Sequence, residues 1–137
     1  MLDEPIIMGV NAPKEHQKII RKLAMALGLL YDTGQILYEP YPETMVDASK
    51  SSPTPDILLF DNESEKNIAL IEVTIPASED NDFEKTAILV EKYKMAEGFI
   101  YNYRKNNWRK YKLGEGEITE NPSFCDSIGY DLNEFLK

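Results

Sequence analysis

The feature that most constrains the fold is an almost continuously apolar segment, Asn67–Ile75, which contains a single acid, Glu72. Apolar residues at both odd and even positions indicate a strand that is covered on both faces, so this segment is predicted to lie at the centre of a sheet. An unpaired carboxylate in such a strand is energetically expensive. Glu72 therefore requires a partner, which can be a metal ion, a basic side chain or water at the strand end.

A second β segment supplies a candidate partner. Asp56–Phe60 precedes the apolar segment, and the polar stretch between them predicts a turn, so the two are expected to form a hairpin. The start of one strand then lies near the end of the other, which brings Asp56 towards Glu72. Two carboxylates at a sheet edge suit Mg²⁺ or Mn²⁺, with the backbone carbonyl of Val73 as a further ligand. The alternative is structural: Asp56 caps a turn and Glu72 forms a buried salt bridge with a lysine.

The rest of the chain predicts an α/β fold with a mixed sheet flanked by helices. Apolar residues at helical spacing predict a first helix from about Pro13 to Tyr31, capped by Asn11 or Ala12. A strand at Gln35–Glu39 and a long polar loop from Pro40 to Thr54 follow. The remaining predicted elements are a helix over Asp82–Glu97 with Gly98 as its left-handed C-cap, strands at Phe99–Tyr103 and Trp108–Lys112, and a short amphipathic segment at Tyr130–Leu136.

Composition narrows the classes of function. A chain of 137 residues is expected to form one domain, spanning residues 1–137. Its 15 basic and 24 acidic residues give a net charge of −9, which argues against tight, non-specific nucleic-acid binding. The single cysteine, Cys125, predicts a reducing environment, and the first residues lack the basic start of a signal peptide. We therefore expect a cytoplasmic protein that does not bind membranes.

The basic residues are concentrated in two segments. Nine of the fifteen lie in Lys14–Lys22 and in Phe99–Leu113, where they alternate with aromatic residues. This pattern suits a phosphate backbone with base stacking. The alternative is a solvated hairpin with aromatic cross-strand pairs. The predicted nucleic-acid contacts are Lys14, Lys18, Arg104, Lys105, Arg109 and Lys110.

Several of these residues occur in an order that resembles a known nuclease superfamily. One pattern resembles the PD-(D/E)XK signature: Pro55-Asp56, then fifteen intervening residues, then Glu72-Val73-Thr74. The predicted order of helix, three strands, helix and strand also matches the restriction-endonuclease-like core of that superfamily. Within that superfamily the chain resembles the bacterial Uma-two branch. The shared motifs are Pro13–His16, Pro55–Leu59, Ile71–Thr74, Asp82 with Lys85 and Tyr93, and Ile128–Leu132.

The resemblance implies a site and an activity. Asp56 and Glu72 would bind Mg²⁺ or Mn²⁺, and the enzyme would hydrolyse DNA phosphodiester bonds. The superfamily's lysine position holds Thr74, and Lys85 matches a lysine that the Uma-two branch carries on the following helix. Glu15, His16 and Tyr93 match accessory positions. A catalytically inactive relative that binds nucleic acid or protein is the alternative, and a homodimer is compatible with either.

Overall fold

A six-stranded mixed sheet organises the part of the chain that the structure, a computed structural model, describes: residues 13–44, 46–47 and 54–137. The strands lie in sequence order across the sheet. Only β3 and β4 are parallel, and each of the other neighbouring pairs is antiparallel. The strands are Glu39–Pro42 (β1), Ile57–Asp61 (β2), Lys66–Thr74 (β3), Glu97–Asn102 (β4), Asn107–Lys112 (β5) and Gly116–Ile118 (β6).

Two helices cover opposite faces of this sheet. Helix α1, Lys14–Asp32, packs with Ile71, Val73 and the C-terminal segment, whereas α2, Glu79–Tyr93, packs against Leu58 and Leu70. Successive residues of β3 thus enter different cores, and this confirms that β3 is covered on both faces. The C-terminal segment contains a small pairing of Phe124–Cys125 (β7) with Tyr130–Asp131 (β8) and a 3₁₀ helix, Leu132–Leu136.

The antiparallel hairpin of β2 and β3 is confirmed, but the boundaries of three other predicted elements, the first strand and both helices, were wrong. The strand predicted at Gln35–Glu39 begins only at Glu39. The N–H groups of Gln35 and Ile36 donate instead to the carbonyl of Leu30, so the chain is wrapped around the end of α1. At the start of α1, Pro13 is the residue before the helix rather than a member of its first turn, and Asn11 and Ala12 lie outside the described residues.

Helix α2 begins and ends earlier than the sequence predicted. A 3₁₀ turn at Pro76–Ser78 leads into it, and Lys94 terminates it in the left-handed conformation, with φ 54° and ψ 42°. Gly98 is therefore not a helix cap. It lies in β4, where an added Cβ would sit 2.6 Å from Thr86 Cγ2 and 2.9 Å from Val90 Cγ2. Glycine is needed here because α2 packs very closely on the strand.

The two predicted site acids lie where β2 begins and β3 ends. Asp56 directly precedes β2 and Glu72 lies near the end of β3, in the register that pairs Ile57 with Ile71. The first turn of α1 and the turn between β4 and β5 lie at this same end of the sheet. None of the described helices is long and apolar enough to cross a membrane.

Candidate active site

Asp56 and Glu72 are joined by reciprocal hydrogen bonds. The backbone N–H of Asp56 donates to Glu72 Oε1 at 2.9 Å, and the backbone N–H of Val73 donates to Asp56 Oδ2 at 2.7 Å. Each acid is thus held by the strand of the other. The hairpin therefore brings together the two carboxyl groups that the sequence placed at one edge of the sheet.

The pKa of Glu72 reflects this crowding. Burial is the main cause that raises the pKa of this carboxyl group to about 8, and the charge of Asp56 and a hydrogen bond between the two carboxyl side chains raise it further. The charge of Asp82 adds a smaller contribution in the same direction. Below pH 8 the pair therefore retains a proton that a free glutamate would have lost.

This donor set fits a hard divalent cation held mainly by water and substrate. Within residues 13–44, 46–47 and 54–137, no cluster of three or more His, Cys, Asp and Glu side chains is arranged to hold a metal ion. Mg²⁺ is commonly bound by only one or two carboxylates together with waters and substrate phosphates. Asp56 and Glu72 meet that requirement. The carbonyl of Val73 as a further ligand stays a prediction.

His16 reaches the site from the first turn of α1. The Nε2 atom of His16 lies 3.5 Å from Asp56 Oδ2, and its ring stacks on Tyr103 with the centroids 6.1 Å apart. Glu15 is exposed, and its charge helps to raise the pKa of Tyr101, of which burial is the main cause. A metal-binding role for Glu15 stays a prediction.

Thr74, at the position where the resemblance implies a lysine, presents a hydroxyl group instead. It is buried, and its Oγ1 donates to Asp82 Oδ2 at 2.6 Å. Ser78 Oγ lies 3.1 Å from the same hydroxyl. Asp82 was not predicted as a site residue. Its signal in the sequence is its position ten residues after Glu72, at the start of a helix that returns over β3.

Lys85 shares a cavity with Glu72 but does not contact it. Because α2 begins at Glu79, this lysine lies in the second turn of the helix rather than the predicted first turn. Among the described residues, no carboxylate lies within 4 Å of its ammonium, and its side chain is exposed. The cavity has a volume of about 320 Å³ and is lined by Glu72, Asp82, Lys85, Thr86, Ile88 and Leu89.

Tyr93 lies away from the two acids. It is the last residue of α2, eight residues after Lys85, which corresponds to about 12 Å along a helix axis. Its ring packs at the edge of the core beneath α2, and the ammonium of Lys92 lies 5.4 Å from the ring centroid. The structure therefore assigns it a packing contact.

Two of the six residues predicted to contact nucleic acid are paired with carboxylates of the protein instead. Lys110 is 3% exposed, and its ammonium contacts Asp126 at 2.8 Å and Glu97 at 3.3 Å. Arg109 donates two hydrogen bonds of 2.9 Å to Glu117 and one of 2.9 Å to Asp80. The prediction that Lys110 contacts a phosphate was wrong, because its ammonium is buried. Three of the five N–H donors of Arg109 are already occupied by Glu117 and Asp80.

The other four predicted contacts are exposed and unpaired. Among the described residues, no carboxylate lies within 4 Å of the charged groups of Lys14, Lys18, Arg104 or Lys105. The first two lie on α1 and the others in the β4–β5 turn, and the stack of His16 on Tyr103 joins these two elements. We call these four residues the basic rim.

A buried asparagine that the sequence did not single out fixes one half of the basic rim. Asn102 is fully buried, and its Oδ1 accepts the N–H groups of Arg104 at 3.1 Å and Lys105 at 3.3 Å. Its Nδ2 donates to Glu79 Oε1 at 2.8 Å, which ties the turn to the start of α2. An asparagine before a polar turn is the local signal that could have revealed this role.

Comparison with solved structures places this geometry in a known architecture. A candidate nuclease belonging to DUF820 from Anabaena variabilis ATCC 29413 is similar with a TM-score of 0.66 and 15% identity, over 90% of this chain and 81% of that chain. The type IIG restriction endonuclease BpuSI is similar with a TM-score of 0.50 and 17% identity. That match covers 88% of this chain but only 15% of the enzyme.

Sequence comparison adds no family to this finding. No protein-family model and no curated protein matches the chain. The likeness to the two solved structures therefore concerns the fold. The chain has a restriction-endonuclease-like, nuclease-type fold: a six-stranded mixed sheet flanked by helices.

Proposed function

We propose that the protein is a metal-dependent endonuclease that hydrolyses DNA phosphodiester bonds. The observation that carries the proposal is the Asp56–Glu72 pair, in which two carboxyl groups are locked together by each other's backbone and the pKa of Glu72 is raised to about 8. A divalent cation would relieve this crowding by replacing the proton. The restriction-endonuclease-like fold supports the same reaction class.

The chain's own residues would divide the work between binding and charge stabilisation. Asp56 and Glu72 would hold Mg²⁺ or Mn²⁺, which when bound supplies Lewis acidity and a more acidic attacking water. Lys85, on a flexible stem in the same cavity as Glu72, would stabilise negative charge that develops on the phosphate. Arginine would be a poor substitute, because its broad planar fork does not reproduce a compact point charge.

The basic rim would hold the nucleic acid. The four residues of the basic rim have no carboxylate partner within the part of the chain that the structure describes, although the net charge of the protein is −9. They flank the end of the sheet where Asp56 lies. Unpaired cations on a compact edge bind phosphates without first breaking an internal salt bridge. The acidic remainder of the surface would confine binding to this edge.

Cleavage of supercoiled plasmid in Mn²⁺ tests the proposal. We expect nicking by the wild type and its loss in Asp56→Ala, Glu72→Ala and Lys85→Ala. Glu84→Ala and Lys66→Ala, which alter an exposed acid and an exposed lysine outside the site, should retain activity. Equal nicking by all variants would identify a contaminant and overturn the proposal.

A thermal-shift titration with Mn²⁺ separates metal binding from catalysis. The wild type should melt at a higher temperature as Mn²⁺ is added, because the cation binds only the folded site. Asp56→Ala and Glu72→Ala should lose this increase, whereas Lys85→Ala should keep it. A wild type that shows no increase lacks a metal site, and the proposed reaction would then be wrong.

One observation favours a second candidate function. Thr74 occupies the position of the superfamily's lysine, and its hydroxyl is committed to Asp82. A nuclease-fold relative that binds nucleic acid or protein without cleaving it would tolerate this exchange. Mn²⁺ binding and DNA binding without any cleavage would support that function instead.

A further inference from the structure

His16, in the first turn of α1, stacks on Tyr103 next to the site. The two rings are inclined by 25°, with their centroids 6.1 Å apart, and the other side of His16 faces Asp56. Tyr103 directly follows β4, so a residue at the end of the central parallel pair supports the imidazole. No assigned role accounts for this tyrosine.

The hydroxyl of Tyr103 does not explain its presence. It is buried, and none of the residues that the structure describes forms a hydrogen bond with it. A buried hydroxyl without a partner is a cost to stability rather than a gain. The ring, which packs against the α1-side core and against His16, is therefore the part of Tyr103 that contributes.

The imidazole in turn acts on one particular oxygen. His16 Nε2 lies 3.5 Å from Asp56 Oδ2, the oxygen that also accepts the N–H of Val73 at 2.7 Å. The Val73 N–H anchors Oδ2 to β3, and the imidazole adds a contact from α1 to the same oxygen. A shift of the imidazole would remove one of these two restraints on the carboxyl group.

We propose that Tyr103 is a positioning residue, which holds the His16 ring against Asp56 and so sets the orientation of that carboxylate. Its consequence for cleavage rests on the proposed nuclease function, but the contact itself can be tested in the isolated protein. The chain has a single histidine, so its imidazole gives one unambiguous set of NMR signals.

The first experiment measures those signals in Tyr103→Leu and Tyr103→Phe without metal. We expect the ring-proton shifts of His16 to move away from their wild-type positions in the leucine variant, because the aromatic ring current is lost. The phenylalanine variant should keep them. Tyr130→Leu, which removes another half-buried aromatic ring from the α1-side core, controls for general loosening. Equal shifts in Tyr103→Leu and Tyr130→Leu would overturn the proposal.

The second experiment is a double-mutant cycle on Mn²⁺-dependent plasmid cleavage. Tyr103→Leu should lower kcat about 10-fold with little change in KM, since a misplaced site group costs turnover more than substrate binding. Tyr103→Phe should restore the rate. In a His16→Ala background Tyr103→Leu should have no further effect, because it acts through the imidazole. Full additivity of the two changes would overturn the proposal.

Together the two experiments distinguish a failure of the positioning role from a failure of the proposed nuclease function. If the wild type does not cleave DNA, the NMR comparison still decides whether Tyr103 holds His16, while the proposed function fails alone. If the wild type cleaves and the NMR signals are unaffected by Tyr103→Leu, the positioning role fails and the nuclease function stands.

Discussion

Two glutamates on neighbouring parallel strands show how differently this sheet treats a buried acid. Glu97, at the start of β4, is 1% exposed and accepts the Ser127 N–H at 2.7 Å while Lys110 Nζ lies 3.3 Å away. Glu72, near the end of β3, faces Asp56 instead of a cation, and its pKa is raised to about 8. One end of the parallel pair is thus charge-balanced and the other is not.

The difference separates structural acids from a chemically poised one. The carboxylate of Glu97 fastens the 124–128 segment to the sheet through hydrogen bonds to Cys125, Asp126 and Ser127. These hydrogen bonds and the nearby Lys110 ammonium compensate the buried charge of Glu97. The carboxyl pair at Asp56 and Glu72 remains short of positive charge, which is the arrangement that functional sites use to bind a cation or shift a proton.

Removing the cation that lies beside Glu97 should have the largest effect on the free energy of unfolding. Lys110→Ala leaves the Glu97 carboxylate buried without its cation, and such losses cost about 3–5 kcal/mol of the free energy of unfolding. Lys112→Ala is the matched control, because Lys112 also pairs with Asp126 but is more exposed. Its cost should be below about 1 kcal/mol. Urea denaturation measures both, and equal costs would contradict the comparison.

Ionisation of Glu72 should make the free energy of unfolding decrease as the pH rises. Carboxylates in ordinary salt bridges have the opposite effect. Because the folded pKa of Glu72 is about 8 against 4.5 for a free glutamate, the folded protein holds this proton more tightly. Its stabilising contribution is complete below about pH 4.5 and is lost as the pH rises through 8, with a slope of up to about 1.4 kcal/mol per pH unit.

Glu72→Gln should abolish that slope, since an amide keeps the acceptor for Asp56 N–H and cannot ionise. Glu84→Gln, on the exposed face of α2, should retain it. Urea denaturation curves collected between pH 5 and 8 decide the matter. A wild type whose stability is constant or increases over this window would refute the assignment.

Paired and unpaired basic residues differ in the same way as the two glutamates. Removing unpaired ones should have a smaller effect, on the salt dependence of DNA binding. Replacing Arg104 and Lys105 together by alanine should reduce the magnitude of the slope of log K against log salt concentration by about 2, because two fewer phosphates are neutralised. Lys66→Ala, at the opposite end of the β2–β3 hairpin, should leave the slope unchanged. Fluorescence anisotropy at several salt concentrations measures it, and an unaltered slope in the double variant would exclude the basic rim as the DNA-binding surface.

The sequence predicted the site's scaffold because its determinants are local. The apolar run of β3, the turn that follows β2 and the two acids all lie within twenty residues of one another, so a hairpin was enough to bring Asp56 to Glu72. Helix α1 was equally predictable from its apolar stripe. The beginning of β1 was not, because it depends on two N–H groups that return to Leu30 at the end of α1.

Other features depend on packing between distant segments. Gly98 looks like a helix cap in the sequence, but the closeness of α2 to β4 is what requires it, and Lys94 adopts the strained conformation instead. The short strands after Gly114 are too brief to show a periodicity. The sequence also did not reveal which basic side chains are paired, because the partners of Arg109 and Lys110 come from α2, β4, β6 and the C-terminal segment.

The two prolines of β1 have a consequence for assembly. Pro40 and Pro42 lie opposite Leu59 and Ile57 in the antiparallel pairing with β2, and neither proline has an amide hydrogen to donate. Among residues 13–44, 46–47 and 54–137, no strand pairs with the outer side of β1, and neither proline position can supply an amide hydrogen there. A strand that added to this border would find no amide donor at Pro40 or Pro42, which disfavours edge-to-edge association of the sheet at β1.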